Sequence, residues 1–330
     1  MIQGCENPQI DAHARRAPRV SYRLTDAAAL LEEPGTLALF GFTSAAPPCT
    51  DPRYLQVALE CFDAPAPLEL WQVDAPVSCG VDGALHWSAG GGWLFAAIEL
   101  DEREHGGPTA TAQRAYEELH RFVASHGAQH VLRVWNYPGA INQGEGDAER
   151  YKHFCDGRAV GMGDFFAEGY PAATAIGHRD AAHRLQVYLL ACDQPGNRVE
   201  NPRQVSAWRY PRQYGRTSPT FARAMTLPAQ DALAISGTAA VVGHASAHVD
   251  DLDAQLVETL INLEALLASA DMRAGFDTQS PLKAYVRHAA DVERVREFLR
   301  QRLPGVPVLL LHGDICRREL LVEIDGWRYA

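Results

Sequence analysis

DLDAQLVETLINLEALLASA, residues 251–270, places Leu252, Leu256, Leu260, Leu263 and Leu267 on one stripe. Steps of three and four residues are what a helix needs to bury a single face, and Asp250 or Asp251 is placed to cap its first turn. A second stretch, TAQRAYEELHRFVASH at 111–126, carries Tyr116, Leu119, Phe122 and Val123 in the same rhythm and stops at Gly127. The sequel to each helix is alike. After 111–126 come the strand-like VLRVWNYP (131–138), the polar loop INQGEGD, the helical AERYKHFCDGRA and the strand-like YPAATAIGH (170–178). After 251–270 come LKAYVRH (282–288), a short loop, the helical VERVREFLRQRL (292–303) and VPVLLLH (306–312).

This order reads as an internal duplication. Strand-like runs precede each long helix: TLALFGF and WLFAAIEL in the first half, RLQVYLLACD, QVSAWRY and ALAISGTAAVVGH in the second. Strands leading into long helices predict an α+β fold of two domains, each a mixed sheet with helices packed on one face. The boundary is expected within 165–185, dividing the chain into 1–175 and 176–330.

Bulk properties narrow the function classes. The chain has 330 residues, enough for two domains of ordinary size. Its net charge of −11 argues against a nucleic-acid or anionic-membrane surface. Seven cysteines, at 5, 49, 61, 79, 155, 192 and 316, are scattered without a CxxC pair, which suits reduced thiols and a cytoplasmic protein. The N-terminal MIQGCENPQIDAHARRA has no apolar core of a secretory signal. No apolar run approaches the ~18 residues of a membrane span.

Chemistry gathers in two places. Residues 203–223 hold Arg203, Arg209, Arg212, Arg216 and Arg223 without an Asp or Glu, interleaved with Trp208, Tyr210, Tyr214 and Phe221. Such a run is either a solvated strand and turn or a site for a carboxylate-bearing ring, since the guanidinium fork meets a carboxylate with two charge-assisted bonds. Near the C-terminus, HGDICRRELLVEIDG (312–326) sets Cys316 seven positions before Glu323. Seven is odd, so on one unbroken strand they would face opposite ways; the charged RRE argues for a break that lets both turn to one place. A glutamate in an apolar strand has a raised pKa and can serve as a general acid, or it can pair with Arg317 or Arg318. A lone cysteine is most often a small buried hydrophobe.

The second half resembles the RidA/YjgF family: AISGTAAVV, the Asp-led helix and the closing LLVEI fall in that family's order, with Glu323 at its functional glutamate. That family's carboxylate-binding arginine would fall at Val308, which counts against an imine deaminase. A closer resemblance spans most of the chain. RVWNYPGAINQGEGDAERYKHFCDGR (133–158), SAWRYPRQYGRTSPTFARA (206–224), ISGTAAVVGHASAH (235–248) and GDICRRELLVEIDG (313–326) together resemble the chorismatases, two-domain relatives of RidA that release pyruvate from chorismate.

The resemblance implies chorismate as small-molecule substrate and Glu323 as the acid that protonates its enolpyruvyl methylene. It implies Arg216 and Arg223 as carboxylate ligands with Tyr214 and Tyr210 beside them. Tyr151 and Arg158 reach in from the first half, while Arg133 and Asn136 serve either the pocket or the domain junction. Small residues, among them Gly237, Ala240 and Gly243, are expected to border the ring. Cys316 stands where aromatising members carry cysteine, so 3-hydroxybenzoate is the expected product; the alternatives are a hydrolase yielding a dihydroxycyclohexadiene, or mixed release of 4-hydroxybenzoate. No cofactor or metal is expected: GHASAH lacks the helix and glutamate of a zinc motif, GGG at 90–92 leads into a strand, and EGDAE at 145–149 reads as a helix start. A fused pair of halves can satisfy within one chain what RidA-type trimers satisfy between subunits, which allows a monomer.

Overall fold

A computed structural model describes residues 15–42, 49–179 and 183–330; the N-terminal stretch through residue 14, with Cys5, lies outside them. The chain first lays down a short helix, α1 (Ala27–Glu32), and a four-stranded sheet in the order Arg19–Arg23, Leu68–Gln72, Thr36–Gly41, Tyr54–Gln56. Two seven-stranded sheets follow, built to one plan. The first takes three antiparallel strands (Ser78–Asp82, Leu85–Gly90, Trp93–Asp101), then helix α2 (Pro108–Ser125), strand His130–Pro138, helix α3 (Arg150–Met162), strand Ala172–Gly177 and a closing strand Arg184–Cys192. The second repeats this with Asn197–Val199, Ala224–Thr226, Ala232–Ala239, helix α4 (Leu252–Ser269), Leu282–Val286, helix α5 (Val292–Arg302), Val308–His312 and the closing Val322–Tyr329. In each, two strands pair in parallel across the second helix, and the closing strand slots antiparallel between them and the first three. One edge of each sheet is extended by a short strand from elsewhere in the chain: Asp314–Ile315 pairs with Ala172–Gly177, and Glu60–Cys61 with Val308–His312. Covering an edge this way removes a template for unwanted pairing.

The α+β expectation and the duplication hold, with α4 capped by Asp251, whose side chain accepts from Ala254 N at 3.1 Å. Three strand readings change. Arg184–Cys192 closes the first sheet, not the second, because its partners are His130–Pro138 and Trp93–Asp101. We therefore propose a boundary after Cys192 in place of 175/176, which would cut the strand Ala172–Gly177. Thr36–Gly41, read as part of the first domain's sheet, lies in the separate four-stranded sheet. The segment 204–210 forms irregular chain with a 3₁₀ turn at Ala207–Arg209 instead of a strand; Pro202 and Pro211 flank it and cannot donate to a ladder.

Alternation along the strands separates the layers. In Trp93–Asp101, Leu94, Ala96, Ile98 and Leu100 pack with the α2 and α3 side chains, while Trp93, Phe95 and Ala97 face inward. In Val322–Tyr329, Val322 and Ile324 pack with the leucines of α4, leaving Glu323, Asp325 and Trp327 on the other face. The inner faces of both large sheets and the four-stranded sheet share one core, with Phe40, Trp71, Phe95, Trp135, Tyr188 and Trp327 at its centre.

Four buried charges cross that core. Asp325 Oδ2 accepts from Arg133 Nη2 (3.0 Å), Trp135 Nε1 (3.0 Å), Thr174 Oγ1 (2.7 Å) and Tyr285 OH (2.9 Å). Lys283 Nζ lies 4.0 Å from Asp325 Oδ1 and 3.1 Å from Glu69 Oε2. Arg133 belongs to the first sheet, Lys283 and Asp325 to the second, and Glu69 to the four-stranded one, so the network ties all three. Removing one partner of a buried pair costs about 3–5 kcal/mol because the other charge stays buried. K283M is accordingly expected to lose about that much in denaturant unfolding, with the double variant K283M/E69Q recovering part of it. A single variant as stable as the parent would contradict the network's role.

Candidate active site

A cavity of about 430 Å³ opens between the two large domains. The first domain contributes helix α3, where Tyr151, Cys155 and Arg158 recur at helical spacing on one side, and the strand residues Ala173, Thr174 and Ala175. Helix α3 can lie this close because Gly157 and Gly161 rest against α2 backbone: a Cβ at either would meet Thr109 O at 1.9 Å or Gln113 O at 2.2 Å. The second domain supplies Gly237 and Ala239, Tyr210, Tyr214 and Arg223, the loop residues Cys316 and Arg317, and Glu323.

The break foreseen after Cys316 is real. Asp314–Ile315 ends, a turn follows, and the strand resumes at Val322, so Cys316 and Glu323 line the same cavity despite their odd spacing. Glu323 is 5 % exposed. Burial and the nearby Asp325 raise its pKa to about 8 against the pull of Arg133, Arg223 and Arg287. Arg317 and Arg318 do not neutralise it. Arg317 donates to His244 O (2.9 Å) and Ser246 Oγ (3.1 Å), and Arg318 to Asn142 O (2.6 Å) and Gly144 O. Burial also pushes the Cys316 thiol up to about 12, Glu323 adding to the effect, and the Cys155 thiol likewise to about 12. Both thiols are thus neutral near pH 7, and the site holds a protonated carboxyl beside uncharged sulfur.

Positive charge converges opposite. Arg223 donates from Nη2 to Val205 O (2.8 Å) and Tyr210 OH (2.6 Å), while its Nε is buried without a hydrogen-bond partner. Arg158 stands over the Tyr116 ring, 5.0 Å from its centroid, and donates from Nη1 to Thr220 Oγ1; its Nε and Nη2 are buried and unbonded. Buried guanidinium donors without protein acceptors are costly unless an anion completes them. Arg317, which the arginine-run reading passed over, stacks on Tyr214 at 3.9 Å and on Tyr210 at 5.0 Å. Its signal was in the sequence, in the RRE beside Cys316, but only the fold brings it against tyrosines a hundred residues earlier.

Three expected residues fall outside the lining. Arg216, with its side chain 69 % exposed, pairs with Asp147 at 3.3 Å, as Arg212 does at 2.7 Å; the acidic loop before α3, read as a helix start, faces them and draws them outward. Ala240 is buried behind the cavity wall. Gly243 turns the small hairpin Val241–Ser246 at φ +59°, its N–H bonded to Arg203 O at 2.8 Å. Arg203 itself pairs with Glu258 at 2.6 Å, so of the five-arginine run only Arg223 lines the cavity. Arg133 is structural, and Asn136 lines the cavity while its Oδ1 accepts from Tyr116 OH at 2.6 Å. Among the described residues no group of three His, Cys, Asp or Glu is placed to hold a metal, and no helix is long and apolar enough to cross a membrane.

A neutral acid facing unsatisfied arginines in an aromatic-walled cavity defines an enzyme acting on a small anionic molecule. Residues 69–191 match the family model described as chorismatase FkbO/Hyg5-like, N-terminal. A 3-hydroxybenzoate synthase of Streptomyces hygroscopicus is 36% identical over 276 residues, spanning 78% of this chain and 80% of that protein. A chorismatase of the same organism is 34% identical over 272 residues, spanning 78% of each. A chorismatase crystal structure superimposes with a TM-score of 0.83 at 30% identity, covering 95% of this chain and 98% of that one. The chain belongs to the chorismatase family and is an enzyme of that type.

The two arginines with open donors and the outward one are separable by experiment. Hydrogen bonds to a charged group are worth about 1.5–3 kcal/mol, so R158M or R223M is expected to weaken chorismate binding about 10- to 100-fold by calorimetry, on an E323Q background that limits turnover. R216A, an exposed ion-pair partner, should change it by no more than about threefold. A large effect of R216A with none of R223M would invert the assignment.

Proposed function

We propose that this chain converts chorismate to 3-hydroxybenzoate and pyruvate, with Glu323 as general acid. The observation that carries the reading is the Glu323 carboxyl: buried in the cavity, raised to about 8, and without a protein hydrogen bond among the described residues. A carboxyl in that condition holds its proton at neutral pH and has it free to give. Transfer to the terminal methylene of the enolpyruvyl ether makes a methyl group and an oxocarbenium centre at the ether carbon. The ring's own 4-hydroxyl then adds to that centre. In the cyclic ketal so formed the C4–O bond breaks as the C3 proton leaves and the ring aromatises. The ketal carbon then releases the C3 oxygen to the ring and departs as pyruvate with the former 4-oxygen as its ketone, while the 4-hydroxyl proton passes to the new phenol. The proton lost from the ring balances the one Glu323 gave, and no water is consumed overall.

Arg158 and Arg223 hold the two carboxylates at either end, and Tyr210, Tyr214 and Phe221 wall the ring. Electrostatic fixing of this kind orients the methylene toward the acid before the reaction begins. Cys316, neutral because of its burial, is neither nucleophile nor base. Its part is to fill with an apolar sulfur the place from which water would capture the oxocarbenium centre. The 36% identical relative, named 3-hydroxybenzoate synthase, supports the aromatic branch.

Since the acid must be protonated, kcat/KM is expected to hold below pH 8 and to fall as pH rises through about 8. The same upward shift means that ionising Glu323 destabilises the fold, a cost that grows between its ordinary value of 4.5 and about 8. E323Q, which removes the proton but keeps the shape, should bind chorismate and lose about a thousandfold or more in kcat. C316A should divert product toward the dihydroxycyclohexadiene, read by chromatography and mass. Turnover by E323Q near the parent rate would remove Glu323 from the chemistry, and an unchanged product ratio in C316A would reduce the cysteine to packing.

A further inference from the structure

The strand Ala232–Ala239 does not run evenly beside the closing strand. Ile235 pairs with Gly326 and Thr238 with Ile324, so Ser236 and Gly237 together face the single residue Asp325. This is a β-bulge, one extra residue that bends the strand and re-aims what stands next to it. Two hydroxyls pin it to the neighbouring domain. Ser236 Oγ donates to Ala222 O (2.6 Å) and accepts from Ala173 N (2.8 Å). Thr174 Oγ1 accepts from Gly237 N at 3.0 Å and donates to Asp325 Oδ2 at 2.7 Å. One threonine of the first domain therefore holds both the bulge and the carboxylate opposite it.

The bulge sets Gly237 directly against the acid. A Cβ on Gly237 would lie 1.9 Å from Glu323 Oε1 and 2.8 Å from its Cδ. The three nearest atoms all belong to the Glu323 side chain, so a larger residue at 237 would displace the carboxyl before it met anything else. Its φ is not in the left-handed region, so conformational freedom is not the reason.

We propose that Thr174 and Gly237 are positioning residues for the acid: the Thr174 hydroxyl docks the Ser236–Gly237 bulge across the domain junction, and the bulge seats the Glu323 carboxyl against bare Gly237 Cα. The inference rests on Glu323 being the acid. It makes the first domain, which supplies no acid, responsible for where the acid points.

T174V removes the hydroxyl while keeping the shape, and T174S keeps the hydroxyl. With Gly237 N–H unanchored the bulge relaxes and water reaches the carboxyl. The expected result for T174V is a fall in kcat of about tenfold together with movement of the alkaline limb to lower pH by about half a unit; T174S restores both. G237A serves where T174V does not fold, since its methyl meets only the movable end of Glu323. It should keep its unfolding midpoint and lose about a hundredfold in kcat, the scale of a misplacement near 1 Å. Folded T174V with the parent's kcat and pH limb, or G237A with the parent's kcat, overturns the positioning role while an inactive E323Q leaves the acid in place. E323Q turning over at the parent rate overturns the acid itself, and with it this inference.

Discussion

Everything in the molecule is arranged around a carboxylate that cannot be left alone. Asp325 sits at the meeting point of three sheets with no exposure to water, and a carboxylate so placed needs protein partners: its Oδ2 accepts four hydrogen bonds, while its Oδ1 accepts none and has Lys283 Nζ at 4.0 Å. Arg133, Trp135 and Thr174 approach it from the first domain, Tyr285 and Lys283 from its own sheet, and Glu69 balances Lys283 from the four-stranded layer. The requirement fixes how the domains register on one another. A shift of one residue in the closing strand would turn Asp325 toward the helices and leave Arg133 stranded.

Glu323 lies two residues earlier and so faces the same way, yet meets the opposite fate. Asp325 collects donors from three elements. Glu323 collects none, and faces an open cavity with the charge of Asp325 behind it. Two carboxyls on one strand face thereby meet different surroundings: Asp325 is bonded into the core and ties the sheets together, while Glu323, its pKa raised to about 8 by burial, faces the cavity and is free for the acid role proposed for it. Pairs with divergent environments of this kind are how a single scaffold separates structural from acid–base work. The domain junction is what makes the cavity possible, since neither half alone encloses it.

How much of this was readable in the sequence follows the range of the interactions concerned. The helices α2 and α4 were legible because their apolar stripes are local and regular. Glu323 was legible because a carboxylate in LLVEID breaks an apolar run, and Cys316 because its spacing raised a question that a strand break answers. Arg184–Cys192 was misassigned since its period-two pattern says that it is a strand but not which sheet it joins. Arg216 was misplaced for an electrostatic reason: the acidic loop that pulls it outward lies in the other half, about seventy residues away. Thr174 carried no signal at all, being an ordinary hydroxyl in an apolar strand until the bulge of a different domain arrives beside it. Gly237 stood out only as a small residue, whereas its role depends on the side chain of a glutamate on the next strand.

In the proposed reaction the first step is delivery of a proton from the protein to the enolpyruvyl methylene. Turnover in deuterium oxide, with pyruvate reduced to lactate as it forms and the methyl group analysed by mass, tests it directly. A carboxylic acid that exchanges with solvent between turnovers places one deuterium in each methyl group, and that is the result this account requires. An unlabelled methyl group would mean that the ring hydrogen passes straight to the methylene in a concerted step, leaving Glu323 no proton to give.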